Sequence, residues 1–275
     1  MTELSLFTGA GGGILGSKLL GWKTVGYVEI NDYCQRAIAQ RIRDKIIDNA
    51  PIFGDIKTFI SDGYAERYRG LVDVVTGGFP CQPFSVAGRR LGENDSRNMW
   101  PETRESICII RPRFAFLENV PGLLSSGYFG SVLGELSEIG YNARWCVLSA
   151  SSQGAPHKRD RLWIFAYSKR WRRGERPDKG IRSEGEEPVE QEFINVRSEV
   201  SDTSSWRLEG QREITSGIKS ELNYACNNSW WLTEPELGRV AHGVADRVDR
   251  LRAIGNGQVP ICMATAFRIL SRGIV

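Results

Sequence analysis

Residues 4–13 read LSLFTGAGGG, a short apolar run that leads directly into a cluster of glycines. This order is typical of a first β-strand that ends in a tight turn and opens a helix, because glycine adopts backbone angles closed to other residues. The loop alone is compatible with a nucleotide, with S-adenosyl-L-methionine (AdoMet) or with a purely structural turn. It lacks the G-x-x-x-x-G-K-[ST] phosphate cradle, which disfavours nucleoside triphosphate hydrolysis.

Short apolar runs alternate with helical patterns over the first 167 residues. The predicted strands are Leu4–Phe7, Thr24–Glu29, Val72–Thr76, Phe114–Leu117, Ala143–Ser149 and Leu162–Tyr167. A helix is predicted at about Gly13–Leu20, and amphipathic helices are predicted at Asp32–Arg43 and Ile261–Leu270. This alternation predicts an α/β fold with a doubly wound, mostly parallel sheet that helices cover on both faces. Ligands bind such sheets beyond the carboxyl ends of the strands.

The composition changes after Tyr167. Ser168–Arg182 holds seven Lys or Arg against two acids, and Glu184–Glu192 holds five acids and no base. Few periodic apolar runs occur here, so we expect a small loop-rich insert over residues 168–245, with residues 1–167 and 246–275 forming the main domain. The acidic block is expected to be solvated surface. The basic block suits contacts to a phosphate backbone.

Bulk composition excludes several classes of protein. Of the 275 residues, 41% are hydrophobic and 25% are charged, which excludes wholesale disorder. No run approaches the roughly 20 apolar residues of a membrane span, and no secretory leader is recognisable, so a cytoplasmic location is expected. The formal net charge of +3 points to no partner. Six cysteines without a C-x-x-C pair, and only two histidines, give little support to a metal site.

Cys81 is the candidate nucleophile. It lies in GGFPCQPFS, residues 77–85, directly after a predicted strand and between two prolines that restrict the backbone. A nucleophile must be exposed and held in one direction, whereas a buried structural thiol needs no such frame. The other cysteines are expected to be small buried hydrophobes; they are Cys34, Cys108, Cys146, Cys226 and Cys262.

Charged residues follow or precede other predicted strands. Glu118 and Asn119 end one apolar strand, where an acid is costly to bury without a partner or a role. Arg159 and Arg161 precede another strand at a spacing of two, so they are expected to share a face and to suit a phosphate or a carbonyl oxygen. A carboxylate that caps a loop, and an ion pair with Asp160, are the structural alternatives.

Several motifs together resemble the DNA (cytosine-5)-methyltransferases, most closely the compact bacteriophage or prophage members. They are FTGAGG (7–12), Glu29 at a strand end, GDI (54–56), GGFPCQPFS, ENV (118–120), PHKRDR (156–161) and AIGNGQVP (253–260). The resemblance covers residues 1–167 and about 230–275. It implies an AdoMet donor, S-adenosyl-L-homocysteine as product, and a duplex DNA substrate whose target cytosine is flipped out of the stack.

The resemblance also assigns the catalytic residues. Cys81 adds to C6 of the cytosine, so that C5 becomes able to attack a methyl group. Glu118 binds or protonates N3, a role that predicts a raised pKa. Arg161 contacts O2, with Arg159 supporting the pocket or a phosphate, and Asn119 holds the Cys81 loop.

The remaining assignments concern the cofactor and DNA. Twelve residues are expected at AdoMet, with Glu29 at the ribose and Asp55 at the adenine amino group: Phe7, Gly9, Ala10, Gly12, Glu29, Ile30, Asp55, Ile56, Gly78, Pro80, Asn256 and Gly257. A lid over flipped DNA is expected at Gln82, Ser85, Arg89 and Arg90, and phosphate contacts are expected at Lys169, Arg170, Arg172 and Arg173.

Some features depart from the family pattern or leave alternatives open. Ile30 stands where a tryptophan is common, His157 replaces a glutamine, and either Met99 or Trp100 could face the cofactor. An RNA cytosine-5 methyltransferase of the same fold and a non-catalytic DNA-binding relative are the two other readings. A monomer is expected, and a cognate restriction endonuclease is a candidate partner.

Overall fold

A computed structural model describes residues 1–80, 98–168 and 255–275, with Asp249, Ala253 and the backbone of residues 191–193. Its strands are β1 (Thr2–Leu6), β2 (Lys23–Val28), β3 (Ile52–Phe53), β4 (Val74–Gly78), β5 (Phe114–Asn119), β6 (Tyr141–Leu148), β7 (Arg161–Ser168) and β8 (Gln191–Phe193). Its α-helices are α1 (Gly12–Leu19), α2 (Asp32–Arg43), α3 (Ile56–Ser61), α4 (Trp100–Ile110), α5 (Tyr128–Glu138) and α6 (Pro260–Leu270).

The strands form one sheet in the order β3-β2-β1-β4-β5-β7-β6-β8. Strand pairs β3-β2, β2-β1, β1-β4, β4-β5 and β6-β8 are parallel, whereas β7 runs antiparallel to both of its neighbours. The predicted α/β class and mostly parallel sheet are therefore confirmed. Chain order reverses between β1 and β4, and this switch point opens a crevice at the carboxyl ends of the two strands.

Helices cover both faces of the sheet because neighbouring strand residues point to opposite sides. Phe114 and Phe116 pack with the α6 residue Phe267, whereas Ala115 and Leu117 join the cluster that contains helices α3, α4 and α5. All four of these strand residues are at most 2% exposed. Two apolar layers thus fix the central strands, and the carboxyl ends of these strands form the edge that carries the site.

Helix α6 returns the C-terminal part of the chain to the first helix. A side chain on Gly16 would lie 2.8 Å from the Pro260 carbonyl oxygen and 2.9 Å from Met263, so glycine permits the close packing of α1 and α6. This contact supports the expectation that the C-terminal residues belong to the same unit as the glycine loop.

The region predicted as an insert contributes one described element. β8 pairs in parallel with Ala143–Trp145 of β6 and extends the main sheet at its edge. The division into a main domain and a recognition region remains a prediction. In the parts of the chain that the structure describes, no helix combines the length and apolar character needed to cross a bilayer.

Candidate functional site

The glycine loop turns sharply after β1. Gly9 and Gly11 adopt φ angles of +57° and +87°, which favour glycine, and Phe7 also has a positive φ of 49°. The Thr8 amide donates to the Val28 carbonyl at 3.1 Å, which joins the loop to the end of β2. Arg41 of α2 donates to the Ala10 carbonyl. The loop is therefore held in one shape by both neighbouring elements.

Glu29 lies at the end of β2 and is 8% exposed. Its Oε2 accepts from the Gly9 amide at 2.6 Å, and its Oε1 accepts from the Asn31 amide at 2.8 Å. The next residue, Ile30, is 69% exposed despite its apolar side chain. A buried acid beside an uncovered apolar surface fits the ribose and the base of a nucleoside ligand.

Asp55 caps the start of α3. Its Oδ1 accepts from the Lys57 amide at 2.9 Å, and Ile56 is buried directly behind it. β3 pairs with β2 through Tyr27–Ile52 and Val28–Phe53, so Asp55 follows the strand beside the one that leads to Glu29. This placement is compatible with the predicted adenine contact, which remains a prediction.

A cleft opens at the switch point between β1 and β4. It is lined by Ser5, Leu6, Phe7, Thr8, Gly9, Gly13, Thr76, Gly77, Gly78, Glu118, Asn256, Gly257 and Gln258. The structure thus brings the glycine loop, the predicted acid and the C-terminal segment to one place. The other predicted cofactor residues lie outside this lining; they are Ala10, Gly12, Glu29, Ile30, Asp55, Ile56 and Pro80.

Glu118 is the buried acid of this cleft. It is 8% exposed, its Oε1 lies 3.0 Å from Arg161 Nε, and its Oε2 accepts from Gln258 Nε2 at 3.4 Å. Burial raises the pKa of Glu118, while Arg161, Gln258 and Arg159 oppose that shift. The direction agrees with the sequence prediction, and it favours a carboxyl that retains its proton more readily than an exposed one.

Asn119 connects β5 to the segment that leads to Cys81. Its Nδ2 donates to the Phe79 carbonyl at 3.0 Å, and its Oδ1 accepts from the Val120 amide at 2.8 Å. Gly78 pairs with Glu118 in the β4–β5 ladder, so the chain reaches Pro80 beside the acid. Cys81 and the predicted lid residues Gln82, Ser85, Arg89 and Arg90 lie outside the described residues.

Arg159 and Arg161 do not lie on one face of a strand, so the prediction of a shared strand face is wrong. β7 begins only at Arg161, and Arg159 precedes it with a left-handed φ of 42°. Arg161 pairs with Glu118, whereas Arg159 Nη2 donates to the carbonyls of Gly255 (2.7 Å) and Gly257. Arg159 therefore holds the C-terminal segment.

Trp100 is not among the residues that line the cleft. It is fully buried, its Nε1 donates to Glu135 Oε2 at 2.9 Å, and its ring packs against Phe79. Met99 precedes α4, and its amide lies 3.5 Å from the Pro80 carbonyl. Of the two residues that sequence left as alternatives, Trp100 thus belongs to the core.

The cysteines other than Cys81 behave as structural residues where they are described. Cys34, Cys146 and Cys262 are buried, and burial raises their pKa values to about 11, about 12 and about 12 respectively. Cys108 is half-buried against the core. Cys226 and the predicted phosphate contacts Lys169, Arg170, Arg172 and Arg173 lie outside the described residues. Within the described ranges, no cluster of His, Cys, Asp and Glu suits a metal ion.

Gln258 is a cleft residue that the sequence motifs did not single out, and so are Ser5, Leu6, Thr8, Gly13, Thr76 and Gly77. Gln258 lies within AIGNGQVP, in which the sequence predicts only Asn256 and Gly257 to contact the cofactor. The signal available in the sequence was a second polar amide, two residues after Asn256, in a motif whose other residues are small or apolar and which precedes a helix. Its contacts with Glu118 become visible only when α6 packs against α1.

Comparison with known proteins places these features in a family context. Type II methyltransferase M.NgoMIV of Neisseria gonorrhoeae is 33% identical over 168 residues, 60% of this chain and 51% of that protein. Type II methyltransferase M.Eco47II of Escherichia coli is 34% identical over 170 residues, 60% of this chain and 39% of that protein. The chain spans about half the length, or less, of the curated relatives it matches.

A solved structure and a family model complete the comparison. A mutant form of Spodoptera frugiperda DNMT2 aligns with a TM-score of 0.48 and 21% identity, over 70% of this chain and 54% of that chain. The family model described as C-5 cytosine-specific DNA methylase matches residues 1–259. Since that match spans all but the last 16 of 275 residues, the chain belongs to the C-5 cytosine-specific DNA methylase family.

Proposed function

We propose that this protein transfers a methyl group from AdoMet to C5 of a cytosine within a specific duplex DNA sequence, as a modification enzyme of the Type II kind. One observation carries the proposal: a buried acid, Glu118, paired with Arg161, lines the same cleft as the glycine loop. Groups that suit the methyl donor and groups that suit the target base thus lie side by side at the carboxyl ends of β1, β4 and β5.

AdoMet, when bound, would supply an electrophilic methyl group. Phe7, Gly9 and Gly78 line the cleft that would receive it, with Glu29 and Ile30 at the end of β2 for the ribose and the adenine. Asn256 and Gly257 close the cleft from the C-terminal side. Ala10, Gly12, Asp55, Ile56 and Pro80 complete the proposed set around it.

Cys81 starts the chemistry at the base. Its thiolate forms a bond to C6, and the electron pair of the C5–C6 double bond becomes available at C5 to take the methyl group, whose bond to sulfur would break to leave S-adenosyl-L-homocysteine. Loss of the C5 proton then returns an electron pair to the ring and expels the Cys81 thiolate. Glu118 donates a hydrogen bond or a proton at N3 and so offsets the negative charge that addition develops.

The arginines and Asn119 support this chemistry in different ways. Arg161 fixes Glu118 and directs a guanidinium toward the O2 side of the base. Asn119 restrains the Phe79 carbonyl, two residues before the nucleophile. The lid residues Gln82, Ser85, Arg89 and Arg90, and the basic run that contains Lys169, Arg170, Arg172 and Arg173, are proposed to contact DNA. We further propose a monomer, with a cognate endonuclease as partner.

The test is bisulfite sequencing of DNA from a methylation-deficient bacterium that expresses the protein, beside a Cys81→Ser control. Protected cytosines within one short sequence, absent from the control, are expected. Unprotected DNA in the presence of folded protein would contradict the proposal. Protection of tRNA cytosines instead would reassign the substrate to RNA.

A further inference from the structure

Gln258 spans the cleft between the glycine loop and the acid. Its Nε2 donates to Glu118 Oε2 at 3.4 Å. At the other end of the same amide, a side chain on Gly13 would collide with Gln258 Oε1. The amide therefore lies against the first turn of α1 on one side and against the acid of β5 on the other.

The backbone around Gln258 is fixed by two independent contacts. A methyl group on Gly12 would collide with the Gln258 carbonyl, so this carbonyl packs directly on the glycine loop. On the opposite side, Arg159 binds the carbonyls of Gly255 and Gly257. Because the main chain is held in this way, the side-chain amide of Gln258 points toward Glu118 in one fixed direction.

The two oxygens of Glu118 each have a donor. Arg161 from β7 binds Oε1, and Gln258 binds Oε2. Arg159 is the further charged group that acts on the carboxyl from the loop before β7. A carboxyl rotates easily about its last torsion when it is unrestrained, whereas donors at both oxygens fix its plane.

We propose that Gln258 is a positioning residue for Glu118, whose amide fixes the plane of the carboxyl and links it to the glycine loop. The inference rests on the proposed function for its catalytic readout. In that function, Gln258 contacts both the glycine loop on the side of the methyl donor and Glu118 on the side of the target base.

The test compares Gln258→Met, which keeps the length of the side chain but removes the amide, with Gln258→Glu. Gln40→Met is the matched control, since Gln40 is an exposed residue of α2 that binds Asp44 and Arg43. Single-turnover methyl transfer is measured at saturating AdoMet and DNA across a pH range, and AdoMet affinity is measured by calorimetry. Carbon-13 NMR of the Glu118 carboxyl supplies a readout that is independent of catalysis.

Gln258→Met is expected to lower the single-turnover rate constant by about tenfold and to change AdoMet affinity by less than about twofold, because a hydrogen bond to the acid is lost. Without this donor to the carboxylate, the pKa of Glu118 rises, so the basic limb of the pH–rate profile moves to higher pH. The Glu118 resonance moves likewise. Gln258→Glu shifts both further in the same direction, because a second carboxylate then faces the first. Gln40→Met matches wild type.

An unchanged Glu118 titration in Gln258→Met would overturn the inference, and so would a loss confined to AdoMet affinity. Should Gln258→Met fail to unfold cooperatively, Gln258→Glu, which preserves the shape of the side chain, carries the same comparison. Wild-type protein without methyl transfer would contradict the proposed function instead, and the NMR titration would still decide the role of Gln258.

Discussion

Arg161 Nε lies 3.0 Å from Glu118 Oε1, one step beyond the last paired residues of the β5–β7 ladder, Asn119 and Leu162. The antiparallel register of these strands therefore sets the ion pair. Burial raises the pKa of Glu118, and Arg161 is the largest influence in the opposite direction. The Glu118 carboxyl therefore keeps its proton to a higher pH than an ordinary carboxyl does, and the Arg161 guanidinium holds its orientation.

Glu118→Gln is expected to stabilise the protein increasingly as pH rises. Because the pKa of Glu118 in the folded protein lies above the unfolded value of 4.5, the folded chain binds more protons than the unfolded chain between those two pKa values. Wild-type stability therefore falls through that window, while the glutamine variant has no such titration. Urea unfolding should show the free energy of unfolding of the variant rising relative to that of wild type between pH 4 and pH 8.

The control for this measurement is Glu66→Gln, at an exposed position of the turn Ala65–Tyr68. This variant removes one carboxylate at the surface and so shows what the change of net charge alone does to the unfolding curve. A constant or shrinking difference for Glu118→Gln would show that the folded carboxyl does not hold its proton more tightly.

Glu3→Ala is expected to destabilise the fold by about 2–4 kcal/mol. Glu3 is fully buried and accepts from Ser17 at 2.8 Å, Thr24 at 2.9 Å and Thr76 at 2.6 Å, which joins β1 to α1, β2 and β4. Alanine leaves a cavity and three hydroxyls without their acceptor. Urea unfolding measures the loss; Glu3→Gln, which retains an acceptor oxygen, should cost less. Equal losses in the two variants would contradict this account of the network.

Gly12→Ala is expected to weaken AdoMet binding by about tenfold or more, because a β-carbon there collides with the Gln258 carbonyl and displaces the C-terminal segment. Calorimetry measures the affinity. Gly134→Ala is the matched control, since Gly134 lies in α5 with no atom near an added β-carbon. That change should leave the affinity unaltered and stabilise the helix by up to about 1 kcal/mol. Equal affinities of the two variants would exclude a role for close packing at Gly12.

The regular elements could be predicted because their signals are local. The helix Asp32–Arg43 has the predicted bounds, and its start is fixed by Asn31, whose side chain accepts from the Cys34 amide. The six predicted strands lie within two residues of the observed bounds at each end, since ladder hydrogen bonds with neighbouring strands decide where a strand stops, and the short strands β3 and β8 were not predicted. Strand order and the switch point emerge only from this pairing.

The site was predictable where chemistry is carried by one motif and was not predictable where distant segments meet. Glu118 and the glycine loop were identified from their positions at strand ends. Arg159 was identified as a site residue, but its contacts were not predictable, because its left-handed backbone breaks the strand period and its side chain binds the C-terminal segment. The role of Gln258 could not be predicted from the sequence, because its contacts with Gly13 and Glu118 require α6 to pack against α1.

The most direct test of the central claim is covalent trapping on duplex DNA that contains 5-fluorocytosine in the modified sequence, with AdoMet present. Fluorine replaces the proton that must leave C5, so release of the enzyme stops with the bond between Cys81 and C6 intact. Wild-type protein is predicted to form a denaturation-resistant DNA complex, and Cys81→Ser is predicted to form none. A complex that persists in Cys81→Ser, or no complex from wild-type protein that binds both AdoMet and DNA, would contradict the account.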